Sequence, residues 1–174
     1  MWSNIIIFGL VTAQRIIEFI VANRNTRKLI AQGGFAVGPM VYPFMLALEA
    51  IWLAGMWYLG WSLAFSWPWV FAYLALEAAR GWVVALLGSN WTTRIIVVPG
   101  ETFEDEKPFN TFREPNYLIV AAELFILPMA FGLWWYAVLF AVLYVALVYW
   151  RWTGENKELA TLREPPKPLE PDNA

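Results

Sequence analysis

The chain holds neither histidine nor cysteine. The commonest neutral-pH acid/base, the commonest zinc ligand and all thiolate chemistry are thereby removed. Catalysis, if any, must rest on carboxylates, arginine, lysine, tyrosine or a cofactor. Two stretches carry such residues at useful spacing. After the last apolar segment, Arg151 and Glu155 stand i,i+4 on what reads as a helix continuing to Leu159. One face then presents a guanidinium able to hold a carboxylate or enolate, beside a carboxylate able to steady that guanidinium or accept hydroxyl groups. By spacing alone the pair is equally an ordinary surface feature. Earlier, Arg113-Glu114-Pro115-Asn116-Tyr117 ends a long polar connection and opens an apolar run, with Phe109 and Phe112 just before it. Aromatic surface interleaved with charge suits a lid over a pocket, and a connection as long as Gly88 to Asn116 is usually functional or disordered.

Six further ionisable residues, Arg15, Glu18, Glu49, Glu77, Arg80 and Glu123, fall inside otherwise apolar segments. Each costs about 2.5–3.5 kcal/mol at the centre of an isolated membrane helix, so they are expected to face a bundle interior or a wet cavity. Arg15 with Glu18 and Glu77 with Arg80 are spaced i,i+3, which predicts partial neutralisation along each helix. The pairs either glue helices together or line a polar vestibule.

The elements that must position these groups are membrane helices. Of 174 residues, 60% are hydrophobic and 15% charged, against roughly a quarter charged in a soluble domain. A net charge of −2 without a basic face excludes a nucleic-acid partner. Apolar stretches predict five spans: about Asn4 to Ala22, Tyr42 to Trp61 and Trp67 to Leu87, then two from Tyr117 to Trp150, a run too long for one helix. A turn near Phe131-Gly132-Leu133, just after Pro128, makes the last two a helical hairpin. The expected fold class is therefore an all-α integral membrane protein of five transmembrane helices. Lys and Arg collect after the first, third and fifth spans, which predicts an outside N-terminus, a cytoplasmic C-terminus and the chemistry on the inner face. Residues 1–162 form one domain, and 163–174, rich in proline, are expected to be an extended, disordered tail. Trp91 to Gly100 is β-branched and aromatic and is expected to lie extended over the helices, and Glu101 to Lys107 to be solvated.

In this order, Gly88 to Gly100, Lys107 to Tyr117 with its Arg-x-Pro-Asn-Tyr core, the hairpin, and Arg151 to Leu159 resemble the isoprenylcysteine carboxyl methyltransferase family. The likeness is to its short bacterial members, which methylate alkylpyrones or alkylresorcinols, and covers residues 75 to 162 well. The resemblance implies a bacterial inner-membrane enzyme that transfers a methyl group from S-adenosylmethionine to an oxygen of a lipophilic substrate entering sideways between helices. It implies a cofactor cradle of Pro99, Gly100, Arg113, Asn116 and Tyr117, and catalytic roles for Arg151 and Glu155. Arg151 would bind an anionic oxygen, and Glu155 would orient Arg151 or serve as base for a phenolic hydroxyl. The family reads Arg-His-Pro where this chain has Arg113-Glu114-Pro115, and a carboxylate there would repel the cofactor's own carboxylate. The alternative is a non-catalytic membrane scaffold or lipid-binding protein of the same fold, divergent or redesigned, with its cofactor site impaired by Glu114. A transporter is disfavoured because no repeat or broken-helix pair is visible.

Overall fold

A computed structural model describes residues 2–37, 41–88, 91–92, 95–97 and 107–163, with backbone alone at 36–37, 95–97, 107–115 and 155–163. Five helices and one short ribbon follow in the order α1 (Trp2–Ala31), β1 (Phe35–Val37), α2 (Tyr42–Gly60), α3 (Trp67–Leu87), β2 (Ile95–Val97), α4 (Lys107–Ala130) and α5 (Trp134–Arg163). Four of the helices are long and apolar enough to cross a membrane: α1, α2, α3 and the Trp134–Gly154 part of α5. Of the five expected spans the described residues show these four at full length, and in α4 the described apolar part, Asn116–Ala130, is shorter. The cause is local. Polar residues occupy its first turns, and its far end is cut by a turn in which Gly132 takes φ +72°. There the amides of Phe131 and Leu133 both bond Pro128 O at 3.0 Å, and the predicted hairpin forms.

Large apolar side chains point outward all along the bundle, including Leu10, Ile17, Ile51, Phe71, Trp82 and Val142. Water would penalise such a surface and hydrocarbon does not. α4 is the central helix, packed along α3 on one side and α5 on the other. The dense part of the core lies toward the hairpin end. Phe8 stacks at 4.9 Å on Phe131 and 5.6 Å from Trp57, and Trp52, Met56, Leu124 and Leu127 are fully buried around it. Close approach of α5 to α2 depends on Gly55, where an added Cβ would lie 2.1 Å from Tyr136 Oη; that hydroxyl donates to Trp52 O at 2.8 Å.

Two asparagines fix the long α1 against the ends of its neighbours. Asn4 Nδ2 donates to Gly60 O at 2.9 Å and Leu63 O at 2.7 Å, meeting carbonyls at and just beyond the C-terminus of α2. Asn25 Nδ2 does the same beyond α3, donating to Gly88 O at 3.1 Å and Trp91 O at 2.9 Å. At 1.5 Å per residue the two latches lie about 31 Å apart, close to the thickness of a hydrocarbon core. The extended segment expected after α3 is present as β2, but it is not a lone strand: Ile95, Ile96 and Val97 pair antiparallel with Val37, Ala36 and Phe35 of β1. This ribbon joins the α1–α2 connection to the α3–α4 connection at the end of the bundle that also holds Asn25. The expected solvated stretch 101–106 and tail residues 164–174 lie outside the described residues, and α5 extends as helix to Arg163.

Candidate active site

Between α1 and α2, roofed by the segment after α3, lies a cavity of about 360 Å³ whose wall draws on all five helices. Each helix supplies one stripe. From α1 come Thr12, Arg15, Glu18 and Phe19, and from α2 Tyr42, Met45, Glu49 and Leu53, both sets at the three-to-four-residue spacing of a single helical face. Arg80 enters from α3, Asn116 and Tyr117 from the first described side chains of α4, and Tyr144 and Arg151, two turns apart, from α5. Trp91 and Thr92 close one side.

Three of the sequence-predicted site residues therefore meet at one place. Arg151 is buried, its guanidinium carbon 5.3 Å from the centre of the Tyr117 ring and its Nη1 4.0 Å from Met45 Sδ. A planar cation over an aromatic face is held in orientation as well as in place. Asn116 adds a buried Oδ1 that has no hydrogen-bond partner among the described residues. Arg113 and Glu155 lie on the backbones of α4 and α5, but their side chains, like that of Glu114, are outside the described residues, and so are Pro99 and Gly100 altogether.

Beside this trio stands the intramembrane charge cluster, in which one of the two expected i,i+3 pairs forms, Arg15 with Glu18, while the closer ion pairs run between helices. Glu123 of α4, with a side chain 0% exposed, accepts from Arg15 Nη2 and from Arg80 Nη1, both at 2.6 Å. Arg80 Nη2 reaches Glu18 at 2.5 Å. Within α1 itself, Arg15 and Glu18 are 4.0 Å apart, and Glu77 takes its hydrogen bond from Gln14 of α1 and forms no ion pair with Arg80. The physical reason is burial: a wholly desolvated carboxylate needs strong donors on more than one side, and only guanidinium groups from neighbouring helices can approach it so. Glu49 remains at the edge, 3.7 Å from Arg15 Nη1. Of the six ionisable residues, Arg15, Glu18, Glu49 and Arg80 line the cavity, whereas Glu77 and Glu123 do not. Both readings of the cluster thus hold, as helix glue through Glu123 and as a polar vestibule through the other four.

The contribution of α1 and α2 to the same cavity as Asn116, Tyr117 and Arg151 was not legible in the linear order. The available signal was depth, since all the ionisable residues fall on one side of the bundle's middle. Gln14 and Met45 gave no signal of their own.

Comparison with known proteins gives this site a context. The chain is 25% identical over 167 residues to the uncharacterised protein YpbQ of Bacillus subtilis (strain 168), an alignment that spans 88% of this chain and 95% of that protein. No solved structure matches. The model of the isoprenylcysteine carboxyl methyltransferase (ICMT) family matches residues 69–161, which run from the first turn of α3 almost to the end of α5. That match takes in Arg80, Asn116, Tyr117, Glu123 and Arg151, covers more than half of the sequence, and follows the same order of helix, crossover and hairpin that builds the cavity; the chain belongs to the isoprenylcysteine carboxyl methyltransferase family.

Proposed function

We propose that the protein transfers a methyl group from S-adenosylmethionine to an oxygen of a lipophilic substrate, a carboxylate or a hydroxyl, at the cytoplasmic face of a bacterial inner membrane. The observation that carries this reading is the convergence of Asn116, Tyr117 and Arg151 with the charged stripes of α1 and α2 on one cavity, inside a bundle whose outer face is apolar. Its volume of about 360 Å³ lies in the range of about 300–1,000 Å³ typical of small-molecule sites.

The residues present suit that cofactor. S-adenosylmethionine, when bound, supplies a methyl group activated on a sulfonium sulfur. The unpartnered Asn116 Oδ1 offers an acceptor to a ligand amino or hydroxyl group. Of the charged groups that line the cavity, Glu18 and Glu49 can meet a cationic group and Arg15, Arg80 and Arg151 an anionic one, which suits a ligand that carries both. Methyl transfer needs little covalent help from protein, so the burden falls on placement and on handling charge. Arg151, held by Tyr117, binds the acceptor oxygen. Ile16, Phe19, Leu46 and Leu53 give the wall between α1 and α2 an apolar stretch that receives a hydrocarbon tail and excludes water.

Titration calorimetry of S-adenosylmethionine into the purified, detergent-solubilised chain tests this. Saturable binding in the micromolar range is expected, followed by methyl transfer to a long-chain acid or phenol. Absence of heat at millimolar cofactor would sink the enzyme reading and leave a non-catalytic lipid-binding member of the same fold. Replacing Glu114 by the family's histidine is expected to tighten cofactor binding.

A further inference from the structure

Three of the charged groups that line the cavity, Arg15, Glu18 and Glu49, come from α1 and α2, outside the residues that the family model matches. On α2, Met45 and Glu49 share a face and both line the cavity. They stand one helical turn, about 5.4 Å, apart along the axis. Met45 touches Arg151, so Glu49 lies one turn further in than the guanidinium assigned to the acceptor oxygen. The carboxylates around it are differently committed. Glu123 is held by two guanidiniums at 2.6 Å, and Glu18 by Arg80 at 2.5 Å and Gln14 at 3.1 Å. Glu49 has only Arg15 Nη1 at 3.7 Å, beyond hydrogen-bond range, and its side chain keeps 23% of its surface open. Arg15 Nη1 likewise makes no hydrogen bond. A carboxylate close to an arginine but hydrogen-bonded to nothing among the described residues thus faces the cavity beside the site for the reacting oxygen.

We propose that Glu49 is the proton acceptor for a hydroxyl substrate and, by the same charge, selects hydroxyl over carboxylate head groups. The assignment rests on the methyltransferase reading and names its substrate class. The substrate's O–H bond breaks with its proton passing to a Glu49 carboxylate oxygen. The electron pair released on oxygen makes the new O–CH₃ bond, while the S–CH₃ pair of the sulfonium donor returns to sulfur, leaving a neutral thioether. A carboxylate substrate in the same place would have no proton to give and would meet Glu49 as a like charge. The charged and titratable groups facing Glu49 from the other helices are Arg15 and Glu18 on α1, Arg80 on α3, Tyr117 on α4, and Tyr144 and Arg151 on α5. Tyr42 shares its own helix, and Glu123 stands behind Arg15.

The test compares wild type with Glu49→Gln and Glu49→Asp, as full-length protein in one detergent, using two readouts. The first needs no cofactor: the apparent pKa of a bound long-chain alkyl nitrophenol, followed by phenolate absorbance. Glu49 opposes a second negative charge, so the pKa is expected to fall by about one unit in Glu49→Gln and to stay in place in Glu49→Asp. The second is turnover of a long-chain alkylphenol against a fatty acid. Glu49→Gln is expected to lose about 100-fold or more on the phenol near neutral pH, the usual scale of general-base catalysis. The deficit should shrink as pH nears the phenol's own pKa of about 10, and Glu49→Asp should recover part of it, while fatty-acid turnover rises in Glu49→Gln, which removes the like charge, relative to Glu49→Asp, which keeps it. An unchanged probe pKa in Glu49→Gln, an equal loss on both substrates at every pH, or a wild type active on fatty acid alone would each overturn the assignment while leaving the methyltransferase reading intact. Absence of cofactor binding in calorimetry would remove that reading and this one together.

Discussion

Glu123 is the residue on which the interior charge balance turns. Its Oε2 receives both Arg15 and Arg80, while its Oε1 is buried without a hydrogen-bond partner. Removing one member of a buried ionic group strands the others in low dielectric, so Glu123→Ala is expected to destabilise the protein by about 3–5 kcal/mol. A thermal melt in detergent would show it, and a variant that melts with the wild type would mean that the two arginines find other partners. Hydropathy alone located all six ionisable residues, because each interrupts an apolar run. Their pairing was not legible, since i,i+3 spacing reports only neighbours on one helix whereas Glu123 draws its donors from α1 and α3. The contact of Arg151 with Tyr117 was hidden for the same reason. It yields its own test: Tyr117→Leu removes the ring face and about 0.5–2 kcal/mol of cation–π attraction, which corresponds to a loss of about 2- to 30-fold in methyl transfer. Tyr117→Phe, which keeps the ring, is expected to lose less, and equal losses in the two variants would show that the hydroxyl matters and the ring does not.

The elements are held by contacts that join one helix's side chain to another's backbone. Asn25 binds carbonyls of Gly88 and Trp91, and Trp91 and Thr92 roof the cavity, so this latch ties α1 to the cavity's cover. Asn25→Ala removes the side-chain donor from both, Gly88 O keeping only the Trp91 amide, at a cost of about 1–3 kcal/mol. Its effect is expected to be local, seen as faster hydrogen exchange around residue 91 with little change around Asn4. Uniform acceleration over the whole chain would argue against a local latch. At the other end of the bundle, Gly55 and Tyr136 form a tight α2–α5 contact. Gly55→Ala is expected to cost about 1–3 kcal/mol by overpacking. Because the nearest obstacle is the tyrosine hydroxyl, the double variant with Tyr136→Phe should lose less than the two single losses together, and simple additivity would place the strain elsewhere. The hairpin boundary was legible from Phe131-Gly132-Leu133, and Pro43 and Pro68 sit in the first turns of α2 and α3. The partner of the β-branched segment Ile95–Val97 was not, because it lies far back in the sequence at Phe35–Val37 and nothing local specifies a pairing across two membrane helices.

At the scale of the whole molecule, the helices thread alternately. One end of the bundle holds Asn4, the α2–α3 turn and the hairpin, tied where Ser66 N bonds Ala130 O at 2.8 Å. The other end holds Asn25, the β1–β2 ribbon, Asn116, Tyr117 and Arg151. This arrangement was legible because charge and hydropathy alternate on the scale of whole spans, and only the shorter apolar part of α4 departs from it. Arg24, Arg27 and Lys28 at the end of α1 are on the cavity's side of the bundle. The positive-inside tendency supports the proposal that this end faces the cytoplasm, the side from which the proposed methyl donor would enter the cavity. Because the sequence has no cysteine, single-cysteine variants read out sidedness without background. Ser62 in the α2–α3 turn and Gln32 just after α1 are both exposed and belong to opposite ends. A membrane-impermeant maleimide is expected to label Ser62→Cys in intact cells and Gln32→Cys only after the membrane is opened. Labelling of both from one side would break the alternate threading. Labelling in the reverse sense would keep the threading but turn the cavity away from the cytoplasm, and a cytoplasmic S-adenosylmethionine pool could then no longer serve Arg151, Tyr117 and Asn116.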